Sequence, residues 1–187
     1  MNVAFAAEAF PEKVAAAVFV TAVLPDCANP CSHVFEQVHR LLRIFKQTDP
    51  KLSIWDLTDS VTDAEHVTLW YSSGPNSCGK ISAWHKIYQL SPPEDYTLSQ
   101  SLARASSFYV ADLQRQAPFN ETRYGAVSKM YVVCKQDLTT VEDYQRQMIA
   151  GCAVAEVREI ADADHMVMFS TPAELAGHLN EIANTYA

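Results

Sequence analysis

The chain is 187 residues long, 49% hydrophobic and 19% charged, with a formal net charge of −8 at pH 7. That balance suits one ordinary folded domain with a sizeable core and excludes a disordered chain. With Lys and Arg scattered along the sequence, it also argues against nucleic acid or an anionic membrane surface as a partner.

Residues 1–10 are Ala-rich and predict a helix that Pro11 stops. The stretch lacks a basic leader, and Glu8 stands where a signal peptide would be apolar. The run Val14–Val23, between Pro11 and Pro25, suits a strand buried on both faces of a parallel sheet. Even extended to Leu24 it is too short to span a bilayer, so no membrane association is expected. Five cysteines, an odd number, rule out a complete disulfide framework and favour a reducing compartment. The cytoplasm is the expected location.

Cys27, Cys31, His33 and His39 have a spacing not far from finger-like metal sites. No second paired motif accompanies them, and Leu24-Pro25-Asp26 reads as a strand-to-loop exit. The reading is therefore thiols and imidazoles on a loop and a helix face, with no metal and no cofactor. From Asp26 to Pro118, irregular helical segments alternate with breakers such as Ser91-Pro92-Pro93-Glu94-Asp95, as in an inserted helical layer.

After Tyr124-Gly125 a βαβα rhythm returns. Met130–Cys134 predicts a strand, with Cys134 buried in it. Thr139–Ala150 predicts a helix opened by a capping box of Thr139 and Glu142. Val154–Ile160 predicts the next strand. The last helix opens with Thr171-Pro172-Ala173-Glu174, an N-cap, an N1 proline and a capping glutamate. Leu175, Leu179, Ile182 and Tyr186 then mark a face for the sheet. The chain divides into a helix and core strand (1–25), a helical layer (26–118) and a βαβα part (119–187), all within one domain.

Two loop residues carry the candidate chemistry. Asp137 lies just past the strand Met130–Cys134, and His165 just past the strand Val154–Ile160. In βαβ sheets the site forms at the carboxyl ends of the strands, so both would share one rim. There an acid accepts the histidine Nδ1–H and fixes its tautomer, the arrangement of a Ser-His-Asp triad in the order nucleophile, acid, base. The alternative is a loop aspartate and a loop histidine that never meet. Asp162 and Asp164 are rival acids, better suited by their closeness to His165 to forming the loop's turns. No serine in the chain stands in a G-x-S-x-G elbow.

At these residues the chain resembles the plant methylesterase and hydroxynitrile lyase branch of the α/β-hydrolases, which includes the salicylic-acid-binding esterase. The resemblance runs nearly end to end, through Phe10-Pro11-Glu12-Lys13-Val14, Ala16-Ala17-Val18-Phe19-Val20, Leu24-Pro25-Asp26, Tyr88-Gln89-Leu90-Ser91-Pro92-Pro93-Glu94-Asp95, Glu121-Thr122-Arg123-Tyr124-Gly125, Tyr131-Val132-Val133-Cys134 and Ala163-Asp164-His165-Met166. It implies the C-terminal part of an α/β-hydrolase fold: three retained parallel strands with flanking helices, plus a helical cap at 26–118. It implies a cytosolic hydrolase of small carboxylic methyl esters, such as methyl salicylate, methyl jasmonate or methyl indole-3-acetate, with Asp137 as acid and His165 as base. Trp55 matches the family's cap tryptophan, with a plain place in the cap core as the alternative, and Met166, Val23 and Leu24 match pocket walls. The family's serine would fall four residues before the position matched by Met1, so the chain as written is expected to be inactive.

Several departures qualify the resemblance. Extra residues stand between Glu36 and Trp55, and Ala105 replaces the usual proline after Arg104. Met166 stands where lyases of the branch carry a lysine, which favours the esterase over hydroxynitrile lyase activity. A third reading is a non-catalytic binding or interaction remnant. In the full fold the strand 14–23 would pair with the strand leading to the nucleophile. Left open, that edge predicts a homo-oligomer or aggregation.

Overall fold

The computed structural model describes residues 1–37, 68–69, 85–102, 106–107 and 110–186. Its centre is a three-stranded parallel sheet in the order β1 (Ala17–Val20), β4 (Lys129–Cys134), β5 (Glu156–Ile160). Between β1 and β4, a two-residue antiparallel pair joins β2 (Thr68–Leu69) to β3 (Ser106–Ser107). Among the described residues the helices are α1 (Asn2–Ala9), α2 (Pro93–Leu102), α3 (Val110–Gln114), α4 (Glu142–Ala150), α5 (Val167–Ser170) and α6 (Pro172–Tyr186), and residues 33–37 and 85–87 are also helical. The parallel sheet flanked by helices is the α/β architecture expected from the sequence. Among the described residues no helix is long and apolar enough to cross a membrane.

Strand alternation builds a core on each side of β4, every residue of which is buried. Tyr131 and Val133 face one way, joining Ala17, Phe19, Tyr144, Met148 and the small Ala4 and Ala7 of α1. Val132 and Cys134 face the other, against Ile160, Ala163, Val167 and Leu175. The loop before β4 is locked by Tyr124, whose hydroxyl donates to the Pro25 carbonyl at 2.9 Å. Lys129 Nζ lies 4.6 Å from the Tyr124 ring centroid and donates to the carbonyls of Gly125 and Val127 at 2.9 and 3.1 Å. That arrangement satisfies an ammonium that is otherwise out of water.

The apolar run 14–23 is not one long strand. Only Ala17–Val20 is extended in the sheet, and Val18 and Val20 are half-buried rather than sealed. A 3-10 turn at Pro11–Lys13 delays the start, and Thr21, with φ at 46°, ends the strand. A β-branched residue in that region is strained, so β1 stops there for a backbone reason that hydrophobicity does not reveal.

Two predicted caps also differ. The helix predicted from Thr139 begins at Glu142, with Val141 at its N-cap and no side-chain capping bond. The Thr139 and Thr140 amides instead donate to Asp137 Oδ1 at 2.7 and 2.8 Å, which draws them out of the helix into a turn. Thr171 Oγ1 finds no hydrogen-bond partner among the described residues; Thr171 also closes α5, its amide donating to the Val167 carbonyl at 3.0 Å. On α6, Leu175 and Ile182 are buried while Leu179 is exposed. The predicted strand Val154–Ile160 is observed as Glu156–Ile160.

Candidate active site

The sheet brings Asp137 and His165 together at the carboxyl ends of β4 and β5. The two loops are first tied by backbone: Lys135 N–H donates to the Ile160 carbonyl at 3.1 Å, and Gln136 N–H to the Ala163 carbonyl at 3.0 Å. His165 Nδ1 then lies 2.8 Å from Asp137 Oδ2. Because Oδ1 already accepts the Thr139 and Thr140 amides, both carboxylate oxygens are committed and the acid cannot swing away. The Asp137 side chain is 0% exposed and that of His165 25%, so the acid is sealed and the imidazole is reachable.

A carboxylate can only accept, so Nδ1 is the donor and Nε2 is left as the free lone pair. An imidazole held this way can take a proton at Nε2, with the carboxylate stabilising the cation formed. Buried negative charge also marks the neighbouring groups. Burial first, then the charges of Asp137 and Asp164, push the Cys134 thiol up to about 12. Burial, then Asp137, raises the Tyr131 phenol.

The acid loop has a support that the sequence reading missed. Ser128 O bonds to Ala17 of β1, whereas Lys129 O and Lys135 N bond toward β5. Even-numbered peptides of β4 therefore face β1. Since β1 pairs only as far as Val20 with Val132, the Cys134 peptide on that side has lost its strand. Gln145, fully buried on α4, takes the place of that strand. Its Oε1 accepts from Cys134 N–H at 3.1 Å, and its Nε2 donates to the carbonyls of Cys134 and Thr140 at 3.0 and 2.6 Å. One carboxamide thus clamps both ends of the loop that carries Asp137. The available signal was its position: Gln145 sits in the stripe of Val141, Tyr144 and Met148, where a polar residue needs a partner.

No protein-family model matches the chain. Individual relatives do. It is 39% identical to methylesterase 7 of Arabidopsis thaliana over 188 residues, covering 100% of this chain and 66% of that protein. It is 37% identical to salicylic acid-binding protein 2 of Nicotiana tabacum, covering 100% of this chain and 67% of the relative. The chain belongs to the plant methylesterase family of α/β-hydrolases. Among solved structures, polyneuridine aldehyde esterase superposes with a TM-score of 0.76 at 27% identity, over 98% of this chain and 68% of that one. Tomato methylketone synthase I, complexed with 2-tridecanone, gives a TM-score of 0.72 at 25% identity, over 99% and 67%. This methylesterase-family chain spans about 66% of the length of the first of these relatives and matches their C-terminal part.

The other site candidates are placed as follows. Met166, next to His165 in the chain, is half-buried, its amide donating to Asp164 Oδ1 at 2.9 Å. Val23 is half-buried, whereas Leu24 is 1% exposed in the core, its amide 3.5 Å from Met148 Sδ. Trp55 and His39 lie outside the described residues. His33 Nε2 pairs with Gln37 Nε2 at 2.7 Å, and Cys31 Sγ with the Ala117 carbonyl at 3.3 Å.

Proposed function

We propose that Asp137 and His165 are the acid and base of a carboxylic ester hydrolase acting on small methyl esters of the methyl salicylate, methyl jasmonate or methyl indole-3-acetate type. The observation that carries this reading is the 2.8 Å contact between His165 Nδ1 and a fully committed Asp137 carboxylate. Membership of the methylesterase family supports it.

In this reading His165 Nε2 removes a serine hydroxyl proton as the oxygen attacks the ester carbonyl. Asp137 stabilises the imidazolium, and the proton passes to the departing methanol. Water then repeats the sequence on the acyl-serine and releases the carboxylic acid. None of this chain's serines stands in a nucleophile elbow, so the 187 residues alone are expected to leave methyl esters intact.

The test supplies what the relatives carry in addition. The N-terminal part of salicylic acid-binding protein 2 that this chain does not match is fused ahead of it, and methyl salicylate hydrolysis is followed. Turnover is expected from the fusion, with loss of about 10³-fold or more in His165→Ala. A fusion whose turnover survives His165→Ala would refute the assignment.

A further inference from the structure

One buried carboxylate beside the proposed pair has no role in the chemistry. Asp164, the residue before the base, is 0% exposed. Its Oδ1 accepts from the Met166 amide at 2.9 Å, closing a turn across His165. Its Oδ2 accepts from the Leu90 amide at 2.9 Å and the Ser91 hydroxyl at 3.0 Å, residues 74 and 73 positions away in sequence. Its own amide donates to Ser170 Oγ at 3.3 Å.

The segment it grips also touches the acid loop. Gln89 Nε2 donates to the Gln136 carbonyl, next to Asp137. The Tyr88 ring stacks on Phe169 of α5, with centroids 6.1 Å apart and planes at 24°. Residues 88–91 therefore form a strap lying against the acid loop, the base loop and α5 at once.

Burying a carboxylate is costly unless donors replace the water it loses. If closing the turn at Met166 were the whole purpose, asparagine would serve, since one carbonyl oxygen accepts that amide equally well. Only a carboxylate accepts at both ends, and here the second end faces two donors of the strap. We propose that Asp164 is a positioning residue for His165, fastening the strap to the base loop so that the imidazole stays in line with Asp137. The proposal rests on the acid–base reading of that pair.

The test is the lifetime of the His165 Nδ1 proton against exchange with water, measured by NMR on the full chain. In Asp164→Asn the side-chain NH₂ meets the Leu90 amide, which can only donate, so the strap contact is weakened and exchange is expected to quicken about tenfold. Ser91→Ala removes a single donor without touching the base loop. A smaller acceleration of the same sign is expected from it, so the proposal stays testable if Asp164→Asn fails to fold. Phe119→Leu, in the core cluster on the other side of the sheet, is expected to lower stability while leaving the proton's lifetime unchanged. Native lifetimes in both Asp164→Asn and Ser91→Ala would overturn the positioning role while leaving the pair intact. A native chain showing no protected Nδ1 proton would instead overturn the pair itself, and this proposal with it.

Discussion

Replacing Gln145 tests how the fold holds the acid. The side chain is fully buried and makes three hydrogen bonds: one from Cys134 N–H and two to the carbonyls of Cys134 and Thr140. Each contributes about 1 kcal/mol net. Removing the carboxamide also strands the Cys134 N–H in a site where no β1 residue can reach it, at a cost of about 1–3 kcal/mol. Gln145→Met keeps the length and removes the polar groups, so its loss of stability is expected at about 4–6 kcal/mol. Urea unfolding gives the free energy, and amide exchange at Cys134 locates the loss. A Gln145→Met protein within about 1 kcal/mol of native, with Cys134 still protected, would refute the substitute-strand argument.

Three further outcomes are expected. A Cβ on Gly125 would sit 2.4 Å from the Glu121 carbonyl oxygen and 2.5 Å from its Cα. Gly125→Ala should therefore destabilise by about 2 kcal/mol or more in the same urea assay, and a neutral result would contradict that packing. At Thr21, φ of 46° penalises a β-branched residue, so Thr21→Gly should raise the unfolding free energy by up to about 1 kcal/mol. A loss would show that its hydroxyl bond to the Val20 carbonyl, 2.8 Å long, outweighs the strain. Burial, then the charge of Asp26, pushes the Cys152 thiol from an ordinary 9.0 up to about 11. Its protonated form is thus favoured by folding: the contribution is full below pH 9 and is lost as pH rises through about 11. Native Cys152 should resist iodoacetamide at pH 8.5, stability should decline between those pH values, and a flat or rising profile there would refute this.

That Asp137 and His165 share one rim was legible because each lies just past a predicted strand, and parallel topology sends such loops to one rim. What spacing could not supply was contact, which depends on the backbone bonds from Lys135 and Gln136 to the β5 side. The end of β1 was hidden for a different reason: hydrophobicity continues through Ala22 and Val23, and only the dihedral of Thr21 breaks the strand. The Thr139 capping box failed because Asp137 takes the Thr139 amide that Glu142 would have accepted, and a residue busy holding a histidine also shapes the turn after it. Asp164 was readable as a turn former. Its grip on Leu90 and Ser91 is a tertiary contact that no local pattern encodes.

The most direct test of the central claim is the tautomer of His165, read from its ring ¹⁵N shifts at neutral pH in the native chain and in Asp137→Ala. We expect the native ring to carry its proton on Nδ1, with a strongly downfield proton signal that disappears in Asp137→Ala. A native ring protonated on Nε2, or a spectrum indifferent to Asp137→Ala, would mean that these two residues do not form an acid–base pair.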